Sequence, residues 1–203
     1  VYVLCFIAAW KWRESFHNVI RKSFSRPFRS LFNNFLFIMP LLSSMVLTAV
    51  LAIIYSQNFV GIPTGEPSWP GDTPQQEIFL DIAYAPVAEE LGFRIIPMGL
   101  FTMLYVLLAG KNVVGRRFKL LVAALLSPDG AKRGAGLENV NDHGMWRGIN
   151  VGEWTMILTT SVIFGYAHVI SGISWEAGKI TSVFVQGFFF ALTYVAYGFE
   201  API

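Results

Sequence analysis

Thiol chemistry is nearly absent from this chain. Cys5 is the single cysteine in 203 residues, so neither a disulfide framework nor a thiolate-bound metal centre can be assembled within it. Charge is scarce as well: Lys, Arg, Asp and Glu make up 14% of the residues, against about 25% in a usual soluble domain. The net charge of +2 is too small to argue for nucleic acid as a partner, and the basic residues are clustered rather than spread. Several catalytic signatures are missing too. There is no H-E-x-x-H, which removes a zincin-type site. There is no G-x-S-x-G elbow, and Ser161 stands in Thr159-Thr160-Ser161-Val162 without flanking glycines. The lone Gly71-Asp72 falls in a loop, which gives no support to an aspartyl dyad. No internal repeat is visible, which removes the main sequence support for a transporter built from inverted repeats.

What is present is apolar. The chain is 54% hydrophobic and 15% aromatic, with a mean hydropathy of +0.53. These values predict an all-α, polytopic transmembrane helical bundle, an integral protein of the cell membrane in contact with membrane lipid. We read residues 1–203 as a single membrane-embedded domain, and as a fragment of a longer protein. It opens Val1-Tyr2-Val3-Leu4 inside an apolar run and closes at Ala201-Pro202-Ile203 as another apolar stretch begins.

The first ten residues read as the end of a span. Residues 11–33 follow as a basic amphipathic connector on a membrane surface or in a solvated loop, with Phe16, Ile20, Phe24, Phe28 and Leu31 at helical spacing. Residues 35–55 are uncharged and long enough to cross a hydrocarbon core of about 30 Å. A Gly/Pro-rich loop occupies residues 56–76. Residues 78–110 form a second span, kinked at Pro86 and Pro97. Residues 111–152 are a polar insertion with a short interfacial helix over Phe118 to Leu126. Residues 154–170 and 180–199 are the remaining spans, with Trp154 and the Trp175/Lys179 pair as interface anchors. Both Lys/Arg-rich connectors are expected to face the cytoplasm and the Gly/Pro loop to face outward. His17 and His143 read as loop residues, and Phe188-Phe189-Phe190 as packing.

The second span contains an energetic anomaly. Glu89-Glu90 and Arg94 lie inside apolar sequence, where each charge costs about 2.5–3.5 kcal/mol on insertion scales. On a helix, Glu90 and Arg94 stand at i and i+4 and can pair, while Glu89 turns about 100° away. One carboxylate is thereby held and the other left for chemistry. In the next span Phe164 and His168 share a face at i and i+4. With the second span centred near Ile95, Glu89 and His168 reach a similar depth and could meet; a span starting at Glu77 would break that match.

Glu89-Glu90-Leu91-Gly92-Phe93-Arg94 fits E-E-x-x-x-R, and Phe164-Gly165-Tyr166-Ala167-His168 fits F-x-x-x-H. In this order, each within an apolar span, the two motifs resemble the CPBP family, which groups type II CAAX prenyl proteases with bacteriocin-processing and immunity relatives. The resemblance covers roughly residues 78–202. It implies an intramembrane endopeptidase acting on a membrane-associated or lipidated peptide. Glu89 would be the general base and His168 its partner in activating water. Glu90, Arg94 and Phe164 would support the site, with Glu90 and Arg94 receiving the carboxyl end of the substrate. The family's third motif, a His followed four residues later by Asn, is not found after His168. No organic cofactor is implied. A divalent metal such as zinc would fall to Glu89 and His168, and we favour water activation without one, since three protein ligands are usual. The competing expectation is a non-catalytic scaffold or immunity protein that binds a peptide in the same cavity.

Overall fold

The computed structural model describes residues 35–66, 69, 71–111, 115, 117–170, 175–199 and 201–202. The opening apolar run with Cys5, the basic connector with His17, and Ser171-Gly172 lie outside them. The chain divides into a unit of residues 1–47 and a unit of residues 48–203, and the site lies wholly in the second. The described residues are helical, joined by irregular connections. Among the described residues three helices are long and apolar enough to cross a membrane: Pro40–Phe59, Gln75–Ala109 and Gly178–Tyr197.

Helix α1 runs Phe35–Phe59 and contains Pro40. It outruns the expected end at residue 55 because Tyr55 to Phe59 offers no glycine or proline to stop it. An irregular stretch then docks against the start of a later helix. Glu176 N donates to Thr64 O at 3.2 Å, Gly178 N to Pro63 O at 3.0 Å, and Gln57 Nε2 to Gly178 O at 3.0 Å.

The second span is one unbroken rod of 35 residues with a change of winding inside it. Helix α2 (Gln75–Glu90) passes into π-helical winding over Leu91–Gly99 and then into α3 (Leu100–Ala109). Pro97 lies in the π segment. Proline lacks an N–H and crowds the carbonyl four residues back, so a locally wider turn accommodates it where an α-turn would not. Arg94 is carried on this widened stretch. The first three turns of α2 bury nothing until Val87.

The polar insertion is ordered helix as well. Helix α4 (Arg117–Leu126) ends where Ser127 turns extended (φ −149°, ψ 77°) ahead of Pro128, the conformation proline imposes on its predecessor. Pro128 then opens α5 (Pro128–Gly134) at a position suited to proline. The segment expected only to terminate a helix therefore also starts one. Val106 of α3 packs with Leu120 and Ala124 of α4 and with Ala131 and Ala135 as one core cluster. Two single turns, α6 (Val140–His143) and α7 (Met145–Gly148), complete the insertion, with His143 exposed at the end of α6.

Helices α8 (Val151–Ile170) and α9 (Gly178–Tyr197) form the hairpin on which the site is built. Asn150 and Glu153 start α8 with a reciprocal cap: Glu153 N donates to Asn150 Oδ1 and Asn150 N to Glu153 Oε2, each at 2.9 Å. This begins α8 three residues before the expected Trp154. The two helices approach closely at Gly165, where a Cβ would meet Ile180 O at 2.9 Å. Helix α8 is not among the three helices apolar enough to cross by composition. Glu153, Thr159, Thr160, Ser161, Tyr166 and His168 dilute its hydropathy.

Candidate active site

Glu89 and Glu90 are neighbours in sequence and live in different surroundings. Glu90 is buried, 3% exposed, and its Oε1 lies 3.1 Å from Nη1 of Arg94, which is 1% exposed. The helical spacing of four produces this pair even though Arg94 lies in the π segment. Arg94 is enclosed on several sides. Its guanidinium lies 4.2 Å from the ring centroid of Phe164 and 5.5 Å from that of Phe190, and Nη2 donates to Gly187 O at 3.5 Å. Oε2 of Glu90 is buried without a hydrogen-bond partner.

Glu89 points elsewhere and is 33% exposed. Its Oε1 stands 3.6 Å from Nε2 of His168, itself 20% exposed. The two groups therefore meet, and they do so although the rod begins at Gln75. The first turns of α2 bury nothing, so the depth of Glu89 is set by packing from Val87 onward and not by where the helix starts. His168 Nδ1 lies 3.0 Å from the carbonyl of Phe164 one turn back. With Nδ1–H donating to that carbonyl, Nε2 carries its lone pair toward the Glu89 side.

Phe164 connects the two halves. Its ring meets His168 edge-on at 4.7 Å and 83°, meets Phe93 at 5.0 Å and 64°, and lies under Arg94. It is 2% exposed. The buried ion pair thus bears on the accessible pair through one aromatic ring. Gly187 makes room for this stack: a Cβ there would lie 2.8 Å from Phe164 Cδ1 and 3.4 Å from Arg94 Nη2.

Arg94, expected to receive the carboxyl end of a substrate, is packed among two aromatic rings, a carboxylate and a main-chain carbonyl, with its Nη1 buried and without a hydrogen bond. Phe190 was read only as packing, and its contact with Arg94 carries no sequence signal beyond being aromatic. Among the described residues no group of three His, Cys, Asp or Glu gathers at one place. Glu89 and His168 supply two donors, one short of the usual protein complement for catalytic zinc.

A second buried polar centre lies in the insertion. Lys132, 0% exposed, donates to Glu153 Oε2 at 2.9 Å and to Gly148 O at 2.6 Å. Asp129 beside it accepts from the backbone N–H groups of Val140 and Asn141. Burial pushes the Asp129 carboxyl above its ordinary range, against the pull of those N–H groups and of Lys132 and Arg133. Sequence reading passed over this centre. The Asn150-x-x-Glu153 capping pattern was available as a signal, whereas nothing in the sequence pairs Lys132 with Glu153 across 21 positions.

A family model described as Rce1-like, Type II CAAX prenyl endopeptidase Rce1-like, matches residues 75–203. Comparison with curated proteins and with solved structures finds no match. The matched range takes in Glu89, Glu90, Arg94, Phe164 and His168 and begins where α2 begins.

Proposed function

This chain belongs to the Rce1-like family of type II CAAX prenyl endopeptidases, and on that premise we propose that Glu89 and His168 activate a water molecule to cut a peptide bond within the membrane. The substrate is a membrane-associated or lipidated peptide, and the protein resides in the cell membrane. The observation that carries the reading is the 3.6 Å approach of two accessible ionisable side chains from different spans. That gap is longer than a good direct hydrogen bond, and a water seated beside the pair, rather than between its atoms, can reach both groups.

Glu89 takes the proton of the water as its oxygen attacks the carbonyl carbon. His168, oriented through Nδ1 on the Phe164 carbonyl, accepts a hydrogen bond from the water at Nε2 and so holds its oxygen in line for attack. The proton then passes to the leaving amine as the carbon–nitrogen bond breaks. Glu90 and Arg94 hold the helices and the Phe164 ring beneath His168 and touch no reacting atom. Among the described residues only Glu89 and His168 gather as donors here, short of the three protein ligands usual for catalytic zinc, and the water is activated by these two side chains.

Cleavage of a prenylated peptide reporter by the wild type, Glu89→Gln and His168→Ala tests the proposal. Glu89→Gln keeps the shape of the side chain and removes the base, so its rate should fall by about 10²–10⁴. His168→Ala should fall within the same range. Wild-type rates in both variants would end this mechanism. Retained peptide binding with no cleavage by the wild type would instead favour a peptide-binding scaffold.

A further inference from the structure

Within residues 75–109 and 151–199 the only Lys or Arg residues are Arg94 and Lys179. Arg94 is enclosed, which leaves Lys179 as the cation of these spans open to a ligand. It lies in the first turn of α9, half-buried, with Nζ 3.7 Å from the centroid of the Trp175 ring. Gly165 meets Ile180 across the hairpin, so the first turn of α9 lies level with the last turn of α8, which carries His168. Lys179 is within electrostatic reach of Glu89, yet among the described residues no ion pair joins it to a carboxylate. The Trp175 face orients the ammonium while leaving N–H donors for an anion.

We propose that Lys179, seated on Trp175 beside Glu89 and His168, binds the terminal carboxylate of the peptide being cut and so fixes how far from the chain end cleavage falls. This rests on the endopeptidase reading above. A C-a-a-X chain ends three residues beyond its prenylated cysteine, and three extended residues span roughly 10 Å. The end group is ionised at neutral pH and is expensive to bring to membrane depth without a cation. A cation near the catalytic carboxylate but not bonded to it suits a substrate that is cut at one point and anchored a few residues away. A lysine paired with Glu89 would suit tuning of the base instead.

The probe is S-farnesyl-Cys-Val-Ile-Ser, as the free acid and as the C-terminal amide, with the full chain in detergent micelles. Binding and cleavage are measured separately. The wild type should prefer the acid by about tenfold or more in both measurements, the range of a hydrogen bond to a charged group. Lys179→Met should bring the acid-to-amide ratio close to one, and Lys179→Arg should keep most of the preference. An unchanged ratio in Lys179→Met overturns the proposal, and so does an equal loss for both peptides, which would mark an effect on Glu89 or on folding. Wild type that cuts both peptides equally also overturns it while leaving the protease reading intact. Wild type that cuts neither peptide but binds the acid preferentially, through Lys179, sinks the protease reading and with it the role of Lys179 in placing the cut, leaving only the carboxylate contact.

Discussion

The second unit contains two buried cation–carboxylate pairs, and they are built differently. Lys132–Glu153 is closed on itself: the ammonium has a main-chain carbonyl as well as the carboxylate, and Glu153 also accepts from Asn150 N. It ties α5 to the start of α8 and so fixes the polar insertion to the hairpin. Glu90–Arg94 joins two positions of one rod. Each pair has one carboxylate oxygen without a hydrogen bond, but Oε1 of Glu153 still lies 2.9 Å from the Lys132 ammonium, whereas Oε2 of Glu90 and Nη1 of Arg94 are both buried without one, and the guanidinium packs on Phe164 and Phe190. A buried pair costs desolvation and stabilises only when its remaining donors and acceptors are met. The insertion pair comes closer to that condition. The pair beside Glu89 does not, and its energy is directed into holding an aromatic ring against His168. One pair serves architecture, and the other serves the position of a neighbouring side chain.

Breaking each pair on one side should separate these roles. Lys132→Met strands Glu153 and Arg94→Met strands Glu90. Each should cost about 3–5 kcal/mol of stability, as uncompensated buried charges do. The consequences should differ in place. Hydrogen exchange in Lys132→Met should rise across residues 117–148, and Glu153→Leu added to it should restore much of the loss. Arg94→Met should instead lose peptide cleavage in protein that still folds, because the Phe164 ring is no longer held from above. Equal exchange patterns in the two variants would show that the pairs do not differ as argued.

Gly187→Ala sharpens the same contrast without removing a charge. The added methyl would press on Phe164 and, less tightly, on Arg94. Overpacking of this kind costs about 1–3 kcal/mol. The insertion pair should be unaffected, and kcat should fall more than KM rises, since the displaced group positions His168 and does not bind peptide. A variant with wild-type kcat would mean that the Phe164 stack has no bearing on Glu89 and His168.

The two centres also differ in how far the sequence discloses them. Glu90 and Arg94 stand at helical spacing in apolar sequence, and both their cost and their pairing follow from that. Glu89 and His168 follow from the same periodicity plus equal depth, and the motif order E-E-x-x-x-R then F-x-x-x-H points to the family found over residues 75–203. The spans at 35–55, 78–110 and 180–199 are legible as apolar length. The π winding is not, because proline signals a disturbance without saying whether the chain kinks, breaks or widens. The enclosure of Arg94 is not legible either. It depends on Phe190 and Gly187 from α9, whose approach is set by Gly165 and Ile180, contacts between helices that no local pattern encodes. Lys132–Glu153 fails for the same reason, since a lysine in a polar segment looks solvated until the fold buries it.

The smallest expected effect concerns Asp129, beside the insertion pair. Burial raises its carboxyl while two backbone N–H groups and Lys132 and Arg133 pull it down, and burial wins. A group whose pKa is raised on folding binds its proton more tightly in the folded protein. Its stabilising contribution is therefore complete below the unfolded aspartate value of about 3.9 and is lost as pH rises through the raised value. The melting midpoint of the detergent-solubilised protein should accordingly decline as pH rises from acid to neutral. Asp129→Asn keeps one acceptor for the Val140 and Asn141 N–H groups and carries no titrating proton, so it should flatten that decline. The Glu89 and His168 chemistry lies on the opposite end of the α8–α9 hairpin, so the pH profile of cleavage should keep its shape in this variant. A melting profile as steep as that of the wild type would show that Asp129 is not the group responsible. A shifted cleavage profile would show that the architectural centre and the catalytic pair are coupled after all.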